Sequence, residues 1–517
     1  MKTNIMCNKV QRLVKHVLPF CLFTLLAFFT ACQTKIPTDY SESDELPGIY
    51  PDYTNVTVPV NIAPLTFEAE DKNDGIVAKF TAGEEEIVCG GSKVQPDATD
   101  WKRLAEMAKG KAIKVEVYIN RYNRWTRFKP FNIYVSPDSI DPYISYRLIS
   151  PSYVSYEELT ISQRCLENYN ESVVYDNMLC TEEMKGQCIN CHNYQQYNPD
   201  RMQFHARENL GGTIIAYDGK IKKVNMRNDS ILSAGVYPTW HPWLNLIVYS
   251  TNKTHQIFHT AHNNKIEVFD TESDLIAYNV DTDEVTNIDR DSTELECFPY
   301  WAPDGKTLYY CSAHFEYKDT IDKGKELIMR TDEVKYNLYK QSFNPETMEF
   351  GLRELVFDAA ALGKSATLPR ISPDCRYLMF TMAQSGVFHI WHHDADLWTI
   401  DLKTGEARPM DELNSDDTES YHSWSSNGRW VIFSSRRYDG NYTRPFIAHI
   451  DSKGRGSKAF ELPCADPNYH RQFLKCYNIP EFMRGPVTIR PQAFANIIKG
   501  EAVQVKYAAK PFATKAP

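Results

Sequence analysis

Six copies of one short phrase constrain this chain more than any other feature of its sequence. The phrase reads Trp301-Ala302-Pro303-Asp304-Gly305-Lys306 and runs into Thr307-Leu308-Tyr309-Tyr310. It returns as Ile371-Ser372-Pro373-Asp374-Cys375-Arg376 before Tyr377-Leu378-Met379-Phe380, and as Trp424-Ser425-Ser426-Asn427-Gly428-Arg429 before Trp430-Val431-Ile432-Phe433. Looser copies are Trp240-His241-Pro242-Trp243, Tyr197-Asn198-Pro199-Asp200-Arg201 and Val135-Ser136-Pro137-Asp138. Proline presets the φ of a turn and aspartate bonds to nearby backbone, so each copy reads as a hairpin between two strands. A second strand pair follows most copies, as at Leu275 to Asp281, Leu397 to Gly405 and Phe446 to Asp451. Counted at the proline position, from Pro137 to Ser426, the copies stand 43 to 70 residues apart. Two hairpins per copy make a four-stranded unit that buries its faces only by stacking on its neighbours. The expectation is an all-β chain with a six-bladed β-propeller over residues 131–458.

Composition agrees with this. Aromatic residues make up 13% of the chain, with 31 tyrosines, and such side chains favour pleated, half-buried surfaces. Ahead of the repeats, residues 53–130 hold strand-like runs such as Ile76 to Phe80 and Ile113 to Ile119, with an amphipathic helix over Asp100 to Lys109 capped by Asp97 or Thr99. This segment reads as a small β-rich, sandwich-like module. Behind the repeats, 459–517 reads as a helix and loop over Asp466 to Met483, with a closing strand for the first blade drawn from Val487 to Tyr507.

One motif carries chemistry. Gln187-Cys188-Ile189-Asn190-Cys191-His192 contains Cys-X-X-Cys-His, the attachment signature of c-type haem. Two thiols at this spacing reach the two vinyl groups of one porphyrin edge, and the histidine falls under the iron. On this reading Cys188 and Cys191 hold one covalent haem c and His192 is the proximal ligand. A distal ligand comes from His205 or Met202. Strand alternation sets Met202, Phe204 and Ala206 on one face and His205 and Arg207 on the other. His205 is preferred, because Arg207 beside it suits a haem propionate, and the iron would then sit between His192 and His205. The same residues have plainer readings. These are a Cys188–Cys191 disulfide, a redox pair lacking its usual strand-to-helix setting, or a zinc site short of two ligands. Met202 also suits blade packing, and His205 a hydrogen-bonded place at the channel rim.

The repeated phrase resembles the WD40-like (PD40) blade of TolB-type propellers, over roughly residues 131 to 455. With its Cys-X-X-Cys-His ahead of a blade, the chain is similar to TolB-like propeller lipoproteins of Gram-negative bacteria, often labelled as linked to cytochrome c biosynthesis. The similarity includes the tail Asn468-Tyr469 to Leu474-Lys475-Cys476-Tyr477 and on to Met483. It implies a haem-motif insertion at 180–200, at a blade entrance.

The N-terminus sets the compartment. Lys2, Lys9, Arg12 and Lys15 precede an apolar run from Val17 to Ala31, too short to span a bilayer, and the pattern is a secretory signal over 1–31. Phe29-Thr30-Ala31-Cys32 resembles a lipobox, which makes Cys32 the lipidated residue. Polar, acidic 32–52 then acts as a tether. The expected location is the cell envelope, lipid-anchored to the outer membrane on its periplasmic or surface face. A net charge of −10 argues against nucleic acid.

No Gly-X-Ser-X-Gly elbow and no phosphate loop occurs. His255, His259, His262 and the run His392-His393-Asp394 read as loop histidines, and Asp416-Asp417 and Glu294/Glu296 lack glycosidase partners. No residue set marks an enzyme. The leading expectation is an envelope monohaem protein for electron transfer or redox sensing, with an unknown redox or envelope partner. The alternative is a haem-free propeller scaffold that binds protein or peptide partners in an outer-membrane complex.

Overall fold

The computed structural model describes residues 34–151, 156, 158–182, 185–260, 264–318 and 321–509. The signal sequence, Cys32 and His262 lie outside the described residues. The chain is all-β, and its sheets are arranged as in a β-propeller.

Each repeat phrase stands where the sequence puts it, ahead of the second strand of a sheet. The first sheet runs Tyr143–Ile149, Thr160–Cys165, Glu171–Asp176, and its innermost place is taken by Cys476–Met483 from the tail. The second runs Ile189–Tyr194, Met202–Ala206, Gly212–Tyr217, Lys220–Asn225. The third runs Gly235–Trp240, Leu246–Phe258, Ile266–Asn279, Glu284–Asp289, and is joined through the bridge Ser273 to Leu295 to the fourth: Glu294–Trp301, Thr307–His314, Asn337–Asn344, Glu349–Phe357. The fifth is Ser365–Ile371, Tyr377–Ala383, Asp396–Asp401, Glu406–Pro409, and the sixth Glu419–Trp424, Trp430–Ser435, Arg444–His449, Phe460–Glu461. Innermost strands of successive sheets touch in a cycle, from the second sheet round to the tail strand and back.

The turns explain the phrase. The N–H groups of Gly305, Cys375 and Gly428 donate to the carbonyls of Ala302, Ser372 and Ser425 at 2.8–2.9 Å. Asp304, Asp374 and Asn427 accept from the backbone N–H two residues on. The residue after the aspartate or asparagine has φ near +60° in all three, which suits Gly305 and Gly428 and strains Cys375.

Two expectations for the ends change. The closing strand is Cys476–Met483, not Val487 to Tyr507; the Pro486 to Tyr507 stretch supplies instead a helix, Pro491–Lys499, and two short strands on outer edges of the second and third sheets. Tyr477, Phe482 and Met483 of that strand are buried, and its pairing along the inner edge of Tyr143–Ile149, rather than any local pattern, fixes it as a strand. At the front, Phe131–Ser136 stays in the N-terminal sheet, so the change of sheet falls between Ser136 and Tyr143 rather than at 131.

That N-terminal part is β-rich, with one large sheet rather than two facing ones. Strands Ser41–Glu42, Thr57–Pro59, Gly75–Ala82, Glu85–Gly91, Ala112–Arg121, Arg124–Arg127 and Phe131–Ser136 form it, so the expected tether over 32–52 contributes a strand to this sheet. Helix Ala98–Met107 packs on it through Trp101, Leu104 and Ala105. Asp97 caps the helix, accepting from the N–H groups of Thr99 and Asp100. Its core is continuous with the propeller: Tyr53, Phe80 and Trp101 share one apolar cluster with Trp430, Ile447 and Tyr477.

Candidate functional site

Every innermost strand carries the same irregularity. Pairing with the next strand slips by one place, and one residue per strand takes a left-handed backbone: Cys191, Tyr237, Phe298, Leu368, Tyr421 and Ile479, all at φ of 48–56°. A bulge of this kind re-aims side chains and sharpens local twist. All six side chains converge on one end of the central channel, where with His192, Arg370 and Glu481 they border a cavity of about 390 Å³ counting its open mouth. Two residues further on, Asn193, Thr239, Tyr300, Arg370, Ser423 and Glu481 face a second recess of about 600 Å³, walled by Trp240, Trp301 and Trp424.

The Cys-X-X-Cys-His motif is part of this repeat. It is not an insertion at a blade entrance: Ile189–Tyr194 is the innermost strand of the second sheet, because nothing else precedes the Asn198-Pro199 turn that could fill that place. Cys191 is the bulge residue, and His192 stands where other sheets have Pro238, Pro299, Pro369, His422 and Pro480. Cys188 lies just before the strand. It is half-buried against the apolar cluster between the first and second sheets and does not border the channel cavity. No bond joins Cys188 to Cys191.

His192 is buried, and neither ring nitrogen has a hydrogen-bond partner; Nε2 is 3.9 Å from Glu481 Oε2. Burial pushes its pKa down to about 3, with Arg147 adding to the effect and the carbonyls of Ile479 and Ser145 opposing it, so the ring is neutral. His422, in the equivalent place of the sixth sheet, is likewise buried with two unpartnered nitrogens, and burial takes it to about 3. Burial raises the Cys191 thiol. Glu481 accepts from Asn193 Nδ2 at 2.9 Å, and burial raises its carboxyl to about 8 against the pull of that bond and of Arg370.

The distal candidates lie elsewhere. Met202 is wholly buried with Phe204 and Ala206 in the apolar cluster between the first and second sheets. His205 faces the third sheet, its Nδ1 2.9 Å from Thr213 Oγ1 and its ring tilted on Tyr249 at 5.6 Å. Its Nε2 has no partner, and burial, then Arg207, hold its pKa near 3. Neither borders the cavity that His192 and Cys191 face. The residues as placed do not fit a porphyrin. Only one of the two thiols opens on the cavity, and five further bulge side chains converge on the space that His192 borders. Of the histidines expected in loops, His392 pairs with Glu267 at 3.0 Å and His393 with Asp417 at 2.9 Å, whereas His255 stands in strand Leu246–Phe258, stacked on Phe269 at 5.6 Å. Among the described residues no three metal-ligating side chains cluster.

The sequence reading missed Arg370, Glu481 and the aromatic bulge residues. A signal was present: in Tyr237-Pro238-Thr239-Trp240 and Phe298-Pro299-Tyr300-Trp301 an aromatic-proline pair precedes the repeat tryptophan by a fixed step, and Cys191-His192-Asn193-Tyr194 and Tyr421-His422-Ser423-Trp424 follow the same frame.

No protein-family model matches the chain, and no curated protein does. Among solved structures, a point mutant of the Synechocystis apocarotenoid oxygenase aligns over 83% of this chain and 95% of its own, at 10% identity and a TM-score of 0.35. A GH74 enzyme of Niastella koreensis aligns over 61% and 44%, at 12% identity and 0.36, and the tricorn protease over 76% and 36%, at 10% identity and 0.32. The fold rests on the strand pairing itself, not on these loose likenesses.

Proposed function

We propose that the chain is a six-bladed TolB-like β-propeller scaffold, held to the envelope by lipid on Cys32, that binds a protein or peptide partner at the recess on its axis. The observation that carries this is the channel lining. One guanidinium, Arg370, and one carboxyl, Glu481, face a recess walled by Tyr300 and three tryptophans, which is how a binding site combines apolar contact with a few orienting polar groups. Arg370 lies over the Tyr300 ring at 4.8 Å and its Nη1 donates to the Pro369 carbonyl at 2.9 Å, so its fork is held in place with its other N–H groups placed to meet a carboxylate or a carbonyl.

The test is site-specific photo-crosslinking in the native envelope, with the reactive residue at Gln196 on the recess or at Leu352, exposed on the outer edge of the fourth sheet. A defined adduct from Gln196, absent from Leu352 and lost with Arg370→Gln, is the expected result. Equal, diffuse labelling at both sites removes the reading.

A second reading keeps one c-type haem on Cys188 and Cys191 with His192 as a ligand, for electron transfer or redox sensing. It is favoured by the motif and by the neutral, unpartnered His192 ring beside Cys191. Haem would supply the redox centre, and the second sheet's inner strand and the channel-end side chains would have to open to receive it. Peroxidase staining of protein from a haem-maturing host, with Cys188→Ala alongside, decides: a stained band that Cys188→Ala loses establishes haem, and a colourless wild type excludes it.

A further inference from the structure

A second cluster lies outside the channel cavities, where the N-terminal part, the outer strand of the sixth sheet and the first sheet meet. Cys464 follows Phe460–Glu461, and His470 sits on the single helical turn Tyr469–Gln472. The Cys464 sulfur is 3.5 Å from His470 Nε2, and His470 Nδ1 is 2.5 Å from Glu461 Oε1. Tyr438 donates to the other carboxylate oxygen at 2.9 Å, and Tyr50 approaches Oε1 at 3.4 Å. Arg164, from the first sheet, brings Nη1 to 3.3 Å of the sulfur and ties Nη2 to the Pro463 carbonyl. The Thr66 hydroxyl donates to the Cys464 carbonyl and pins the loop.

The order thiol, imidazole, carboxylate is that of an activated nucleophile: the ring is close enough to take the thiol proton, and the carboxylate fixes its tautomer and stabilises its charge. Burial alone raises a thiol, yet His470 and Arg164 hold Cys464 below its ordinary value. Burial alone lowers a histidine, yet Cys464 and Glu461 raise His470 to about 9. Tyr53 also faces the group, and burial raises its phenol, so it stays neutral. The Nε of Arg164 is buried with no partner, so this guanidinium keeps an unused donor. Access decides the substrate. Cys464 is 7% exposed, His470 2%, Glu461 1% and Arg164 3%, which shuts out a polymer, so any substrate of this group is a small molecule.

We propose that Cys464, His470, Glu461 and Arg164 form a thiolate site that reduces small hydroperoxides. The sulfur attacks one peroxide oxygen, an S–O bond forms and the O–O bond breaks. Sulfur loses two electrons and becomes a sulfenic acid, and the peroxide gains them. The departing hydroxide, or alkoxide from an organic hydroperoxide, takes the Nε2 proton of His470 and leaves as water or alcohol, with Arg164 holding the oxygens. Among the ten described cysteines none is bonded to Cys464, so the sulfenic acid awaits an external thiol.

The test uses the full chain and hydrogen peroxide below one equivalent of total thiol at pH 7, with dimedone to trap sulfenic acid and peptide mass mapping of every cysteine. An ordinary thiol is about 3% ionised at that pH, so a lowered thiol gains on ionisation alone up to a ceiling of about thirtyfold. The expected result is a Cys464 adduct ahead of every other cysteine. Adducts that follow exposure, with half-buried Cys89, Cys188 and Cys375 leading, or an unmodified Cys464, overturn the proposal. His470→Gln, verified as folded by circular dichroism, is expected to slow Cys464 at least about tenfold; an unchanged rate refutes the role of the ring. Should that variant not fold, wild-type alkylation by iodoacetamide settles the thiolate: a Cys464 rate that levels off at a lower pH than that of the other cysteines supports it, and a rate that rises with pH alongside theirs refutes it.

Discussion

Glu481 gives the sharpest test of the channel. Its carboxyl is bonded to Asn193, its second oxygen is unpartnered, and its folded pKa stands near 8 against 4.5 for a free carboxyl. A carboxyl whose folded pKa is raised binds its proton more tightly when folded. Stability is therefore unaffected by this group below about pH 4.5, falls as pH rises from there to about 8, and is level beyond. The full difference corresponds to about 5 kcal/mol, of which about 3 has accrued at pH 7. The side chain keeps 21% of its surface open to the channel, so these are upper bounds. Glu481→Gln has the same shape, keeps an oxygen for Asn193 and carries no charge. In urea unfolding of wild type and variant at pH 5, 7 and 9, the variant should gain on the wild type by several kcal/mol between pH 5 and 9, nearly all of it below pH 8. His192, His205 and His422 are neutral well below pH 7 when folded, so above pH 7 they add no slope of their own. A constant difference across the three pH values would show that Glu481 is ionised throughout and that Arg370 compensates it. The channel would then hold an ion pair rather than a lone guanidinium.

The remaining expectations concern the repeat and its closure. Gly305→Ala places a methyl carbon 2.3 Å from the Trp243 ring at φ +58°, and should cost about 1–3 kcal/mol in denaturant unfolding. Cys375→Gly relieves the same left-handed position in the fifth sheet and should stabilise by up to about 1 kcal/mol by the same measurement. Trp430→Ala removes a fully buried ring from the core shared by the N-terminal part and the propeller, together with its bond to the Asp138 carbonyl, and should cost about 3–5 kcal/mol. Ending the chain at Lys475 leaves Tyr143–Ile149 without its inner partner, and limited proteolysis should then cut first in the first sheet.

The fold was legible where local physics and the repeat say the same thing. Pro303-Asp304-Gly305 sets a turn by its own chemistry, and matching turns at Pro373 and Ser426 make the pattern recognisable without any tertiary knowledge. The closing strand was not legible. Nothing local in Cys476-Tyr477-Asn478-Ile479-Pro480 separates a strand from a loop; its place is fixed by the empty inner edge of a sheet whose other strands lie some 300 residues earlier. The nucleophile cluster was hidden for the same reason. Glu461, Cys464 and His470 are close in sequence, but Arg164 and Thr66 arrive from two other parts of the fold.

The haem motif shows how a short signature and a long repeat can compete for one stretch of chain. Read as five letters, Cys188 to His192 specifies a cofactor. Read in the frame of the repeat, Cys191 is the bulge residue that appears as Tyr237, Phe298, Leu368, Tyr421 and Ile479 elsewhere, and His192 takes a place held by proline four times and by His422 once. The two readings predict different things of His422. If an unpartnered, neutral ring at this place belongs to the repeat, then His192→Pro and His422→Pro should be tolerated alike, because both sites already have the bulge backbone and neither ring makes a hydrogen bond. If iron binds at His192, only His422→Pro leaves the bound pigment intact, and His192→Pro loses it while the protein still folds. A pair of substitutions at matched positions, read by unfolding midpoint and by absorbance together, therefore separates what the second sheet needs to be built from what it was selected to hold.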